Sequence, residues 1–200
     1  MCKAALVAAG LLSGLALAVA AAAADSSGPN ANCHPGVEGH PGSCVDSIGD
    51  VKGAAGPDIA RVTEYEWGVI AFRVTFAKAG RAGSPLAYSA TFSDEVSVML
   101  MARGKTTRRY LLSISATDLK HQVLQRLPNG KRLTLPAPPG ATAMTSKYLT
   151  LAVNLHALGD PSIVRYRIEA ARVMLDGTPG SSDYIPDNGT IVWHAWNSGA

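Results

Sequence analysis

An all-β fold, an antiparallel β-sandwich of jelly-roll-like type, follows from three features of this 200-residue chain. From Ile59 onward apolar residues recur with a period of two, the pattern of strands that bury one face. Turn-forming Gly, Pro and Asn punctuate these runs. No helical segment intervenes between them, which favours a sandwich over alternating α/β layers.

The runs justify the strands one by one. Ile70, Phe72, Val74 and Phe76 alternate with Ala71, Arg73 and Thr75, and Val96, Val98 and Leu100 repeat the phase, as do Tyr110, Leu112 and Ile114. Pro128-Asn129-Gly130 supplies the residues of a tight hairpin, joining a strand near 121–127 to one near 131–135. Proline cannot donate to a ladder, so Pro136, Pro138 and Pro139 end the second. Leu149, Leu151, Val153 and Leu155 form the next run, and Ile191 and Trp193 the last, with the Trp193 indole expected in the core. Residues 163–175 fit two patterns. Asp160-Pro161-Ser162 reads as a helix start, with Val164, Ile168, Ala171 and Leu175 at helical spacing. Tyr166 and the β-branched Ile163, Val164 and Ile168 favour a strand, with a bulge at Ala170-Ala171 that turns Val173 and Leu175 inward.

The N-terminus reads as a secretory leader over residues 1–24. Lys3 precedes an apolar run from Ala4 to Ala24, an Ala-x-Ala site follows, and Asp25 opens the remainder. The strongly apolar core from Leu6 to Val19 is shorter than the ~20 residues of a spanning helix, so no transmembrane anchor is expected. Residues 25–45, rich in Gly, Pro, Ser and Asn, read as a flexible arm stapled by Cys33 and Cys44, and residues 46–200 as the sandwich. In an oxidising compartment this isolated pair is most simply a disulfide, worth roughly 3 kcal/mol for so short a ring. The alternative is zinc or copper held by the two cysteines with His34 and His40 of the repeated His-Pro-Gly. Such an export address implies a secreted or cell-envelope protein.

The net charge of +3 falls to about +2 without the leader, so no polyanion is obligatory. One region is locally basic. Arg103, Lys105, Arg108, Arg109, Lys120, Arg126, Lys131 and Arg132 face only Asp118, a set that suits anionic envelope polymers or phosphate head groups, or simply a solvated hairpin. Nucleic acid is not an expected partner, since no recognised binding module is present.

A family resemblance covers roughly residues 45–196. Asp46-x-x-Gly49-Asp50, Pro57-Asp58-Ile59, the run from Ile70 to Phe76, and Asp183-Tyr184-x-Pro186-Asp187-x-Gly189 followed by Trp193 resemble secreted bacterial β-sandwiches of the family-9-type carbohydrate-binding and DOMON-like groups. That resemblance implies a sandwich and a carbohydrate ligand. Where related domains often carry an acidic loop, this chain has Met101-Ala102-Arg103-Gly104-Lys105.

Two sets of candidate site residues result. Asp46, Asp50 and Asp58 precede the first confident strand and Asp183 and Asp187 the last; if the end loops meet, their oxygens suit Ca²⁺. The alternative is that each Asp caps its own turn. Trp67 and Trp196 are candidates for stacking on a sugar, and Tyr184 joins them as a loop aromatic. No Gly-x-Ser-x-Gly, His-Glu-x-x-His, Walker or dinucleotide motif occurs. The expected function is therefore a non-catalytic binding or accessory domain for an envelope or extracellular carbohydrate. The alternative is a structural or protein-interaction domain without a small ligand, and a secreted hydrolase stands third. The sequence leaves the oligomeric state open.

Overall fold

In the computed structural model of the chain, residues 32–34, 42–51, 56–66, 68–80, 82–178, 180–186 and 189–194 are described. They form thirteen strands: β1 (Asn32–His34), β2 (Gly42–Val45), β3 (Ile59–Glu66), β4 (Val69–Phe76), β5 (Phe92–Arg103), β6 (Thr107–Ser115), β7 (Gln122–Arg126), β8 (Arg132–Leu135), β9 (Thr142–Met144), β10 (Tyr148–Asn154), β11 (Ile163–Met174), β12 (Ser181–Ile185) and β13 (Ile191–His194). A single 3₁₀ turn, His156–Leu158, interrupts them. All ladders are antiparallel. One sheet runs β1-β2-β3-β4-β10-β9 and the other β12-β11-β5-β6-β7-β8, with β13 also paired to β11. The all-β sandwich is the fold.

Alternation explains why the sheets stack. Along β4 every second residue, Ile70, Phe72, Val74 and Phe76, is buried, and along β5 Val96, Val98, Leu100 and Ala102 are. The Phe72 ring from one sheet lies 4.8 Å from the Tyr166 ring of the other, a tilted contact at the centre of the core. Each such side chain contributes roughly 1.5–3 kcal/mol through removal of apolar area from water. The 127–131 turn forms as its Asn-Gly pair requires: the Leu127 amide donates to the Lys131 carbonyl at 2.8 Å, and Gly130 takes φ +79°, open to glycine without strain.

Three expectations change. The described parts of the 25–45 arm are not a separate staple beside the sandwich: β1 pairs with β2 and β2 with β3, so they extend the six-stranded sheet. The Cys33–Cys44 disulfide joins directly opposed residues of β1 and β2. Small and turn-forming residues hid these strands, whose pairing comes from β3 rather than from their own propensity. Residues 163–174 are a strand, but without the expected bulge. β11 pairs with β5 residue for residue from Ile163↔Arg103 to Met174↔Phe92, so the inward phase continues to Arg172 while Val173 and Leu175 are exposed. Tyr184 sits within β12, not in a loop.

An inward arginine needs a partner, and the register supplies one. Arg172 lies opposite Asp94 and donates through Nε at 2.8 Å and Nη2 at 3.1 Å to its two carboxylate oxygens, while its guanidinium covers the Phe92 ring at 3.9 Å. Asp94 also accepts the Ala87 amide at 3.0 Å. The charge pair replaces apolar contacts at this end of the core. Arg172→Ala is expected to cost about 3–5 kcal/mol, because it strands a buried carboxylate. A double change, Arg172→Met with Asp94→Leu, is expected to cost much less than the single one. Urea unfolding of the variants measures both.

Candidate metal centre

The strand ends at one seam between the sheets gather the acidic residues. β2 ends at Val45, opposite Arg61, and the Asp46 amide continues the ladder to the Ala60 carbonyl at 3.1 Å. The chain then turns through Gly49, at φ +91°, whose amide donates to Asp58 Oδ2 at 2.9 Å and so holds the return toward β3. A register shift between Ile59 and Arg61 bends the start of β3. Across the seam, β12 presents Asp183 inward, where its Oδ2 accepts the Ile59 amide at 2.5 Å. That bond links residues 124 apart in sequence and ties one sheet to the other.

The result is a constellation of carboxylates. One oxygen each from Asp46, Asp50 and Asp183 lies within 4.8 Å of the other two, and Asp46 and Asp183 are buried. Oxygens on opposite sides of a calcium ion stand about 4.6–5.2 Å apart, so the three fit around one such ion. The second Asp183 oxygen, Oδ1, is buried and accepts no hydrogen bond, and Asp58 Oδ1 is in the same condition. Burial, reinforced by the charges of Asp50 and Asp58, pushes the Asp183 carboxyl up to about 7 against the pull of the Ile59 amide and a slight pull from the Tyr184 amide. A cation among these oxygens would offset the like charges that Asp50 and Asp58 set beside Asp183.

Four of the five predicted aspartates thus come to one place: Asp46, Asp50 and Asp183 converge, with Asp58 beside them. Asp187 lies outside the described residues, as do Trp67 and Trp196. Tyr184 is described and already engaged: its hydroxyl donates to Glu169 at 2.8 Å, and the Arg167 guanidinium stacks over its ring at 4.0 Å. His121 Nε2 bonds the Ala152 carbonyl at 2.8 Å, and His156 pairs with Asp160 on the surface.

Sequence reasoning missed Glu64. It lies on β3, opposite Gly42 and Phe72, 2 % exposed, with neither carboxyl oxygen hydrogen-bonded. Desolvation pushes its pKa up to about 8. The signal was present, because Glu64 shares the inward phase of Val62 in a strand of period two.

An all-β sandwich with a carboxylate cluster at the seam of its sheets is the class that fold and site define. No family model, curated protein or solved structure matches the chain.

The buried Glu64 gives the metal-free protein a pH dependence with a definite sign. Unfolded, the carboxyl ionises near 4.5; folded, it holds its proton to about 8. The contribution of Glu64 to stability is therefore full below pH 4.5 and falls as pH rises toward 8, by up to about 1.4 kcal/mol per unit. Asp183 acts in the same direction only to about 7. Above that, the decline is expected to vanish in Glu64→Gln, as read by urea unfolding at pH 7.0, 7.5 and 8.0 in a chelating buffer. A Glu64→Gln curve parallel to that of the unsubstituted chain over this interval would refute the assignment.

Proposed function

We propose that this protein is an exported, non-catalytic binding or accessory domain whose sandwich is clamped by a calcium ion. The observation that carries the reading is the convergence of Asp46, Asp50 and Asp183 from two sheets. Three carboxylates, each mono- or bidentate, supply about half or more of the six to eight oxygens that calcium takes. Neutralising them removes like-charge repulsion at the point where β12 meets β3, so the ion acts on the fold rather than on a bond of a substrate. His121 bonds the Ala152 carbonyl and His156 the carboxylate of Asp160. Export is supported by the leader-like residues 1–24 and by the Cys33–Cys44 disulfide, a bond that persists in oxidising compartments. No helix among the described residues is long and apolar enough to cross a membrane. The ligand fitting such a domain is an envelope or extracellular carbohydrate, as the resemblance to carbohydrate-binding sandwiches implies.

Calcium at a hundred times its dissociation constant is expected to stabilise the fold by about 2.7 kcal/mol, raising Tm by several degrees. Titration calorimetry and thermal unfolding with Ca²⁺ and with Mg²⁺ test this. Asp183→Asn keeps an acceptor for the Ile59 amide while removing a charge. It is expected to leave the metal-free protein as stable or more so, and to abolish the calcium response. No heat and no rise in Tm at millimolar calcium would dispose of the clamp.

A further inference from the structure

The outer face of the seven-stranded sheet carries a line of arginines that local sequence does not reveal. Register sets Arg132 directly opposite Arg126, Arg126 opposite Arg109, Arg109 opposite Met101, and Met101 opposite Arg165. Directly opposed residues project to the same side of a sheet. That side is the solvent face, because the neighbouring Tyr110, Leu100 and Tyr166 are buried in the core. Four arginines thus lie in one row across β8, β7, β6, β5 and β11, with strands about 4.8 Å apart and a total span of about 19 Å. None of the four is in a salt bridge with a described residue. Like charges directly opposite one another destabilise a sheet, so the row costs the fold something and returns nothing to it.

The adjoining row is apolar at its centre, between Thr134 opposite Leu124 and Arg167 opposite Met99. Leu124, Leu111 and Met99 stand in register beside the arginines, with Met99 exposed. Two rows further on, the same face turns acidic at Glu169, about 14 Å from Arg165, and then at Glu95. Arg103 flanks the row on one side and Arg167 on the other, so the positive charge is a band centred on the row and bounded by Glu169 and Glu95. Arg108, adjacent in sequence, lies on the opposite side of β6, its guanidinium near Gly159. Lys120 lies beyond Ser115, at the far end of the strands.

We propose that this row binds a linear anionic polysaccharide, a polyuronate or similarly charged chain laid across the strands. The ligand class follows from three features. Guanidinium groups on three successive strands, with a fourth beyond Met101, match carboxylates repeated along a polymer and offer bidentate geometry to them. The apolar row beside them suits the C–H faces of sugar rings. A flat anionic membrane wide enough to cover the face would press its charge against Glu169 and Glu95 beyond the basic band, whereas a chain running along the row avoids them. The assignment rests on the reading of the protein as an extracellular binding domain, and is independent of the calcium clamp.

Affinity electrophoresis of the full chain on polygalacturonate, with neutral dextran, phosphatidylglycerol vesicles and duplex DNA as comparisons, tests the row. The triple variant Arg109→Ser, Arg126→Ser, Arg132→Ser is set against Lys78→Ser, Lys120→Ser, Lys147→Ser, which removes equal charge from other exposed positions. The expected result is retention by polygalacturonate that weakens with salt, falls roughly tenfold or more in the arginine variant, and changes within about twofold in the lysine variant. Tm of the arginine variant is expected to be unchanged or higher, since repulsion is relieved. Equal losses in both variants, or retention that survives the arginine changes, would overturn the row while leaving a carbohydrate-binding domain standing. Tighter binding to vesicles or DNA than to polygalacturonate would overturn the polysaccharide. Retention by none of the glycans would overturn both the row and the carbohydrate reading beneath it.

Discussion

The unbroken register of β5 against β11 is the constraint on which the rest of this sandwich depends. Twelve consecutive pairs run from Ile163↔Arg103 to Met174↔Phe92, and they fix the facing of every strand beyond them. On the inner side they set Val96, Val98, Tyr166 and Ile168 toward the opposite sheet, where Phe72 meets Tyr166. On the outer side they place Arg165 beside Met101 in line with Arg109. A slip of one residue would exchange the two faces entirely, burying arginines and exposing the core. The Arg172–Asp94 pair marks where that register meets the end of the apolar region, and a bidentate ion pair is a solution to an inward charge that the strand phase makes unavoidable.

At the seam the same logic produces a site. β12 follows β11 in register, and its inward residues Ser181, Asp183 and Ile185 include one carboxylate. That carboxylate bonds the first amide of β3, which brings it against Asp46 and Asp50 at the end of β2 and the turn that follows. Burial and neighbouring carboxylates disfavour the charged form of Asp183, and the rise in its pKa expresses that cost. Glu64 is another inward acid, on β3, raised by desolvation, where the proton itself neutralises the group. The two acids differ in what surrounds them: Asp183 has carboxylate neighbours that create a pocket of negative charge, whereas Glu64 has Gly42 and Phe72.

Much of this was legible beforehand. The strands with strict alternation, β4, β5, β6 and β10, were readable because side-chain direction in a strand is a local property. The hairpin between β7 and β8 was readable because Asn129-Gly130 accepts positive φ. Gathering of Asp46, Asp50, Asp58 and Asp183 was legible only as a condition on whether end loops meet. Strands β1, β2, β9 and β12 were not legible, since short polar or Gly-rich segments become strands by pairing with a neighbour already in place. Tyr184 was misplaced for that reason: its flanking Asp and Pro look like a loop, yet pairing with Glu169 puts it in mid-strand.

By itself, then, the sequence determined the class of fold, the faces of its strong strands and the oxygen-rich ends of its chain segments, all of which depend on spacing within a few residues. Tertiary structure alone decided that Asp183 reaches Ile59 across a sequence separation of 124, that Arg172 turns inward onto Asp94, and that Arg109, Arg126 and Arg132 stand in one row. These are products of register and of the closure of one sheet upon the other. Pairing energies summed over whole strands set both, and no local pattern of residues encodes them.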